Sequence, residues 1–241
     1  MSSIDEIVRF IDLARVTVPL HEFTAQERAA LDNVNHRVAS GESLADVMDF
    51  VFESTRDLFP CDRLSISFVQ EDDRVASHWT RALYAPLLLQ PGYSEDLRQS
   101  ALARVRDTGC VRIIDDLNAY LEVKPRSAST QLLVREGVRS SMTCPLSVNG
   151  RNAGFLFRSS RNPGAYAMHE VLLHSALAER LSQAVEKAYR IEQLTAANQA
   201  YAEMLGFVSH ELKSPLGAIV MDASVLEQGF LGRLEPPQIE R

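Results

Sequence analysis

The spacing of hydrophobic residues changes period along the chain, and each change marks an element. Ile4, Ile7, Val8 and Ile11 recur at three and four residues, with Ala14 or Arg15 next. That spacing predicts an amphipathic helix over residues 2 to 17, ended by Pro19. A second helix is expected from Thr24 to about Val38, with Thr24 as N-cap and Glu27 completing a capping box. Gly41 breaks the chain, and Ser43 caps a third helix through Leu58, with Pro60 as its stop. Leu44, Val47, Met48, Val51 and Phe52 form the inner face of that helix.

The period then shortens to two. Leu64, Ile66 and Phe68 alternate with polar neighbours, which predicts a half-buried strand over Arg63 to Val69. Glu71-Asp72-Asp73 reads as a turn, with Val75 to Arg81 as the hairpin partner. Tyr84 to Gly92, which holds Pro86 and Pro91, reads as a loop. Glu95 to Asp107 is expected as a short helix terminated by Gly109, and Cys110 to Ile114 as a strand. Residues 117 to 130 carry no clear period and are expected as a loop, and Gln131 to Glu136 as a helical turn closed by Gly137. Ser140 to Val148 and Ala153 to Arg158 read as strands joined at Asn149-Gly150, a strong hairpin signal. Helices before and between the strands of an antiparallel sheet indicate an α+β fold.

From residue 166 to 226 the pattern reads as one long helix, with room for a brief interruption. Leu177, Leu181, Ala184, Ala188 and Ile191 follow heptad spacing, and so do Leu194, Asn198, Tyr201, Leu205, Val208 and Leu212. The step from Ile191 to Leu194 is three residues where four is due, a stammer that overwinds a coiled coil locally. The pattern predicts a parallel homodimeric coiled coil with Asn198 as a polar register device. Gly229 and Gly232 then break the helix, and Pro236-Pro237 suits the first turn of another.

Composition narrows the classes. The hydrophobic and charged contents of 46% and 24% are those of a globular chain. A net charge of −7 argues against nucleic-acid binding through a basic surface. No membrane-spanning run is present, and Asp5, Glu6, Arg9 and Asp12 interrupt any signal-peptide core. Cys61, Cys110 and Cys144 are odd in number and far apart, which favours a reducing cytoplasm over a disulfide framework or a zinc site. Cys110 and Cys144 are expected as buried apolar fillers, Trp79 as core and His78 as surface. His169 and His174 lie about 140° apart round a helix and do not form a metal pair. Arg81, Arg112 and Arg139 are candidates for an anionic ligand, weighed against the usual reading of solvated charges at strand ends.

The most informative chemistry lies in Phe207-Val208-Ser209-His210-Glu211-Leu212-Lys213-Ser214-Pro215-Leu216. A neutral imidazole is nucleophilic near physiological pH, and an adjacent carboxylate can hold its tautomer or take its proton. Leu205, Val208 and Leu212 share one helix face, while His210 is about 200° from the latter two and directed to solvent. Pro215 is expected to bend or locally open the helix.

All ten positions resemble the H-box of sensor histidine kinases. The resemblance implies that His210 is the phosphoacceptor and Glu211 its acid/base neighbour. Ser214 stands where many members carry Thr or Asn, a position that serves dephosphorylation of the partner receiver domain, so the serine leaves phosphatase activity open. A second resemblance, over roughly residues 43 to 185, is to the GAF family of sensory domains. It rests on Val105 to Leu117, on Gly137-Val138-Arg139-Ser140-Ser141-Met142 leading to Pro145-Leu146, and on Gly154-Phe155-Leu156. It implies a small-molecule pocket on one sheet face, walled by inserted helices.

Together these give an expected organisation: N-terminal helices over 1–42, a GAF-like sensor over 43–185, a signalling helix over 186–206, and a truncated dimerisation and phosphotransfer hairpin over 207–241. The expected function is the sensory and phosphoacceptor part of a cytoplasmic two-component kinase. It would work as a homodimer and pass phosphate to a response-regulator receiver domain. No cofactor is expected in this chain; ATP and Mg belong with an ATP-binding domain that the chain lacks. The alternatives are a non-catalytic scaffold with a well-packed interior, or a chromophore or haem sensor. The bilin-binding cysteine motifs of GAF relatives are not evident in this sequence.

Overall fold

A capping box opens the first helix described by the structure, a computed structural model covering residues 7–13, 23–70, 72–148 and 150–228. The Thr24 hydroxyl accepts from the Glu27 N–H, and the Glu27 carboxylate accepts from the Thr24 N–H at 2.7 Å. Helix α1 (Ala25–Ser40) follows, and Gly41, at φ 79°, closes it. Ser43 caps α2 (Leu44–Thr55), which buries the five expected inner-face residues. Both helices begin where the sequence places them, and α2 ends three residues before Leu58.

Seven antiparallel strands form one sheet in the order β1-β5-β6-β7-β2-β3-β4. They are β1 (Val8–Ile11), β2 (Arg63–Val69), β3 (Arg74–Ala82), β4 (Ser94–Asp96), β5 (Val111–Ile114), β6 (Ser140–Val148) and β7 (Arg151–Ser160). Short helices α3 (Leu102–Thr108), α4 (Leu117–Val123) and α5 (Ala128–Arg135) are inserted between strands, and α6 (Met168–Glu227) ends the described chain.

Three expectations are corrected. Val8–Ile11, read as part of a helix, is a strand paired with β5 from Val8↔Ile114 to Ile11↔Val111. The rest of that expected helix lies largely outside the described residues, as do Pro19, Gly229, Gly232 and Pro236-Pro237. Glu95 and Asp96 belong to edge strand β4, paired with β3, and helix begins only at Leu102. Residues 117–130 are not a loop: they contain α4 and the first turn of α5.

Strand alternation divides the sheet into two faces. Leu64, Ile66 and Phe68, with Val111, Ile113, Met142 and Cys144, pack on one face against α1, α2 and the first third of α6. The intervening residues, Arg63, Ser65, Ser67, Arg112 and Ser141, face the other way and are buried as well. β2 is therefore buried on both sides, not half-buried as expected. Gly154 is required by close packing of β7 on β2: a Cβ there would come within 2.2 Å of the Ser67 carbonyl oxygen.

Two compact units result, residues 1–189 and residues 190–241. Helix α6 runs unbroken through Pro215. No helix among the described residues is long and apolar enough to cross a membrane.

Candidate functional site

The second face of the sheet floors a cavity of about 870 Å³. That volume falls within the roughly 300–1,000 Å³ usual for small-molecule sites. Its walls come from the segment leading into α3 and from α4 and α5, the elements inserted between strands. Apolar lining comes from Phe10, Leu102, Ile114, Leu117, Leu133 and Phe157. The floor is polar but uncharged over much of its area, because Ser65, Ser67, Ser77, Ser141 and Ser159 point into it.

One wall is held by a buried ionic cluster. The Arg63 guanidinium lies 3.5 Å from the Glu136 carboxylate, and both side chains are almost wholly enclosed. Glu136 accepts the backbone N–H groups of Leu88 and Leu89 at 2.6 and 2.7 Å, and the Tyr84 hydroxyl at 2.7 Å. Arg63 donates to the Leu89 carbonyl at 2.6 Å and to Ser65 at 3.0 Å. The loop between β3 and β4 is thus pinned at its backbone. Burial lowers the Arg63 pKa, and burial together with the bond to Glu136 raises that of Tyr84.

Arg112 behaves differently. It is only 8% exposed, and its Nη2 donates to Thr143 at 3.0 Å. Its Nε has no partner, and no carboxylate pairs with it among the described residues. Burial pushes its pKa down, with Glu95 acting against that shift from a distance. Glu95 is itself held by Tyr93 at 2.8 Å and Ser129 at 3.2 Å. Of the three arginines singled out in the sequence, only Arg112 lines the cavity. Arg81 pairs with Asp49 and Glu53, and Arg139 with Asp116. Sequence reasoning missed Arg63 and the serine floor. Small hydroxyl residues at the polar positions of β2, where a solvated face carries longer charged ones, were the available signal.

Neither cysteine nor histidine lines this cavity among the described residues. Cys144 is buried as expected, its thiol pushed up to about 12 by burial, whereas Cys110 precedes β5 and is only partly buried. His78 sits at the bulge between β2 and β3, stacked on Phe68 at 4.3 Å, and Trp79 packs against the main core. His169 lies 2.8 Å from Glu27, while His174 is buried with Nε2 3.4 Å from the Leu156 carbonyl oxygen. No metal-binding cluster occurs among the described residues.

The second unit carries His210 on the outer surface of α6. Its side chain is 85% exposed, and its Nδ1 is 3.8 Å from a Glu211 carboxylate oxygen. Glu211, Ser214 and Pro215 follow on the same uninterrupted helix. Leu205, Val208 and Leu212 are exposed, as are Leu194, Tyr201 and Phe207.

No protein-family model matches the sequence, and no curated protein matches it. Solved structures do. The GAF domain of an Acinetobacter phosphoenolpyruvate-protein phosphotransferase is 16% identical over 70% of this chain and 98% of its own, with a TM-score of 0.56. A phycocyanobilin-bound GAF domain from a cyanobacterial phytochrome is 16% identical over 69% of this chain and 97% of its own, with a TM-score of 0.56. Free methionine-R-sulfoxide reductase from Neisseria meningitidis is 14% identical over 68% of this chain and 91% of its own, with a TM-score of 0.52. At such identities the likeness is one of architecture: the chain has the GAF fold, continued by a long C-terminal helix.

Proposed function

We propose that the chain is the sensory and phosphoacceptor part of a two-component sensor histidine kinase. The observation that carries this reading is the ten-residue pattern Phe207 to Leu216, which lies on the helix that begins inside the core of the GAF unit. In this reading residues 43–185 sense, 186–206 transmit, and 207–241 begin the dimerisation and phosphotransfer hairpin.

His210 is the phosphoacceptor. With Glu211 on the Nδ1 side, Nε2 is the nitrogen left facing outward. It forms a bond to the γ-phosphorus of ATP as the bond to the bridging oxygen breaks, and a receiver-domain aspartate later accepts the phosphoryl group. An ATP-binding domain outside these 241 residues supplies the nucleotide and Mg. Ser214 occupies the position that serves dephosphorylation of the receiver. Transfer depends on positioning, so a signal that rotates or bends α6 controls it.

The second copy of the chain covers the seam from Leu194 through Asn198 and Leu205 to Leu212. The exposed large hydrophobic side chains along residues 190–227 support this reading, since a monomer rarely leaves such a stripe in water. A cavity of about 870 Å³ supports a small-molecule sensor over a purely scaffolding domain. The absence of cysteine and histidine from its described lining weighs against thioether or axial attachment of a chromophore or haem there.

The test is incubation of the chain with a histidine-kinase ATP-binding domain supplied in trans and radiolabelled ATP. Label stable to base, lost in acid and absent from His210→Gln is the expected result. Acid-labile label that persists in His210→Gln refutes the assignment.

A further inference from the structure

We infer that the cavity takes an organic acid, with an oxyanion group set against Arg112 and an apolar body against Phe10, Ile114 and Phe157. This deepens the reading of the GAF unit as a small-molecule sensor and rests on it.

The argument starts from what Arg112 lacks. A guanidinium more than nine-tenths buried needs a counter-charge or a full set of acceptors, because burying a cation without them is costly. Arg112 has one acceptor, Thr143, an unpartnered Nε, and no paired carboxylate among the described residues. Three other arginines of the lining are engaged, one buried and two exposed. Arg63 is held by Glu136 and Leu89, Arg98 by Asp96, and Arg104 lies 4.0 Å over the ring of Phe10. Arg112 is thus the buried cation of the cavity wall that has no carboxylate partner among the described residues. An oxyanion matches it in charge and in geometry.

The surroundings set the rest of the ligand. Through the ladder, Arg112 sits beside Thr143, which sits beside Phe157, and Phe10 flanks Arg112 on the other side. The head of the ligand therefore meets a cation and a hydroxyl, and its body meets two aromatic rings and Ile114. Ser77 marks the far end of the floor, four strands from Arg112, about 19 Å at ordinary strand spacing. Its hydroxyl is buried and unpartnered as well, so a long ligand would meet a second hydrogen-bonding group there. Lys124 and Arg126 on the α4–α5 segment add positive charge to the wall, against Glu95 and Asp96. This balance runs opposite to the net charge of −7 of the whole chain. It favours entry of an anion.

The probe pair is 8-anilinonaphthalene-1-sulfonate and N-phenyl-1-naphthylamine, which share a skeleton and differ in the sulfonate. Both are titrated by fluorescence into the full chain. The sulfonate is expected to bind roughly 10- to 100-fold more tightly, the worth of a charge-assisted hydrogen bond in a buried site. Arg112→Met should erase that difference and leave the neutral dye within about threefold. The comparison in the unmodified chain needs no variant, so it stands even if Arg112→Met does not fold. Ile114→Trp, which adds an indole to the cavity, separates cavity binding from dye held by the exposed surface of α6.

Equal affinities for the two dyes, both lost in Ile114→Trp, overturn the organic-acid proposal and leave the sensory pocket standing. Affinities that Ile114→Trp does not alter overturn both. Displacement of the sulfonate by decanoate or by decyl phosphate supports the proposal and tells a carboxylate head from a phosphate.

Discussion

Helix α6 is one helix with two environments. Over its first part Val171, Leu177, Leu181 and Val185 have no exposed surface, and Tyr189 keeps 5%. Two residues later Ile191 is 53% exposed, and every large hydrophobic side chain described from there to Met221 is exposed too. Heptad spacing runs through both parts, yet it means different things. The Leu177-Leu181-Ala184-Ala188 seam, expected to meet a second chain, packs against the protein's own sheet. The stammer between Ile191 and Leu194 falls where the core ends. Burial separates the cases: the first part also buries Leu172, Leu173 and Ala178, a broad face that meets the sheet, while in the second Leu194, Leu205 and Leu212 lie exposed at seam positions.

The largest effect that breaks this comparison comes from placing a charge in each seam. Leu181→Asp puts a carboxylate in an apolar core with no partner, at a cost of about 5 kcal/mol or more. That is comparable to the whole stability of an ordinary domain. The cooperative melt of the GAF unit should disappear, read by circular dichroism. Leu205→Asp should leave that melt within about 0.5 kcal/mol and abolish self-association in sedimentation. Unfolding of the GAF unit by Leu205→Asp would show that the two parts are not separate.

Truncation gives a smaller contrast. Leu177→Ala should cost about 2–5 kcal/mol in urea unfolding, the range for a buried leucine that leaves a cavity. Leu212→Ala, at a side chain 55% exposed, should leave the urea midpoint of the GAF transition unchanged at a concentration where the chain is monomeric.

The first part of the helix also carries a buried histidine, which ties its stability to pH. Burial and the nearby Arg158 hold the His174 pKa well below 6.5. Below that value the unfolded state binds a proton that the folded state refuses, so stability falls as pH falls. Below pH 6.5 the slope approaches at most about 1.4 kcal/mol per unit, the limit for one proton. His174→Phe should flatten the melting temperature across that window.

Where local signals decide structure, the sequence was readable. The Thr24 capping box, the limits of β2, the Asn-Gly hairpin and the span of α6 all follow from residues within a few positions of one another. The misread stretches depend on distant partners. Ile7, Val8 and Ile11 satisfy a helical period, but four backbone pairs with β5 make Val8–Ile11 a strand. Glu95 becomes a strand residue by pairing with Val75. Helices α4 and α5, at seven and eight residues, are too short to establish a period. The cavity follows from the resemblance, but its polar lining was hidden for the same reason. Arg112, inside a strand of only four residues, looks solvated until α4 and α5 are known to wall the same cavity, and the serines of β2 look like a wet face.

The smallest expected effect tests the second part of α6 alone. Asn198 falls at a seam position, where a buried amide favours one register and one oligomer at some cost in stability. Replacing it with Leu removes that restriction and adds apolar surface to the contact. The gain should be about tenfold in self-association, about 1.4 kcal/mol. Sedimentation equilibrium should also show species beyond the dimer, because nothing polar then penalises an alternative register. The GAF transition should not move, since no buried core residue lies beyond Tyr189 among those described. An unchanged dissociation constant would take Asn198 out of the seam and shift the paired face of α6 away from Leu205 and Leu212.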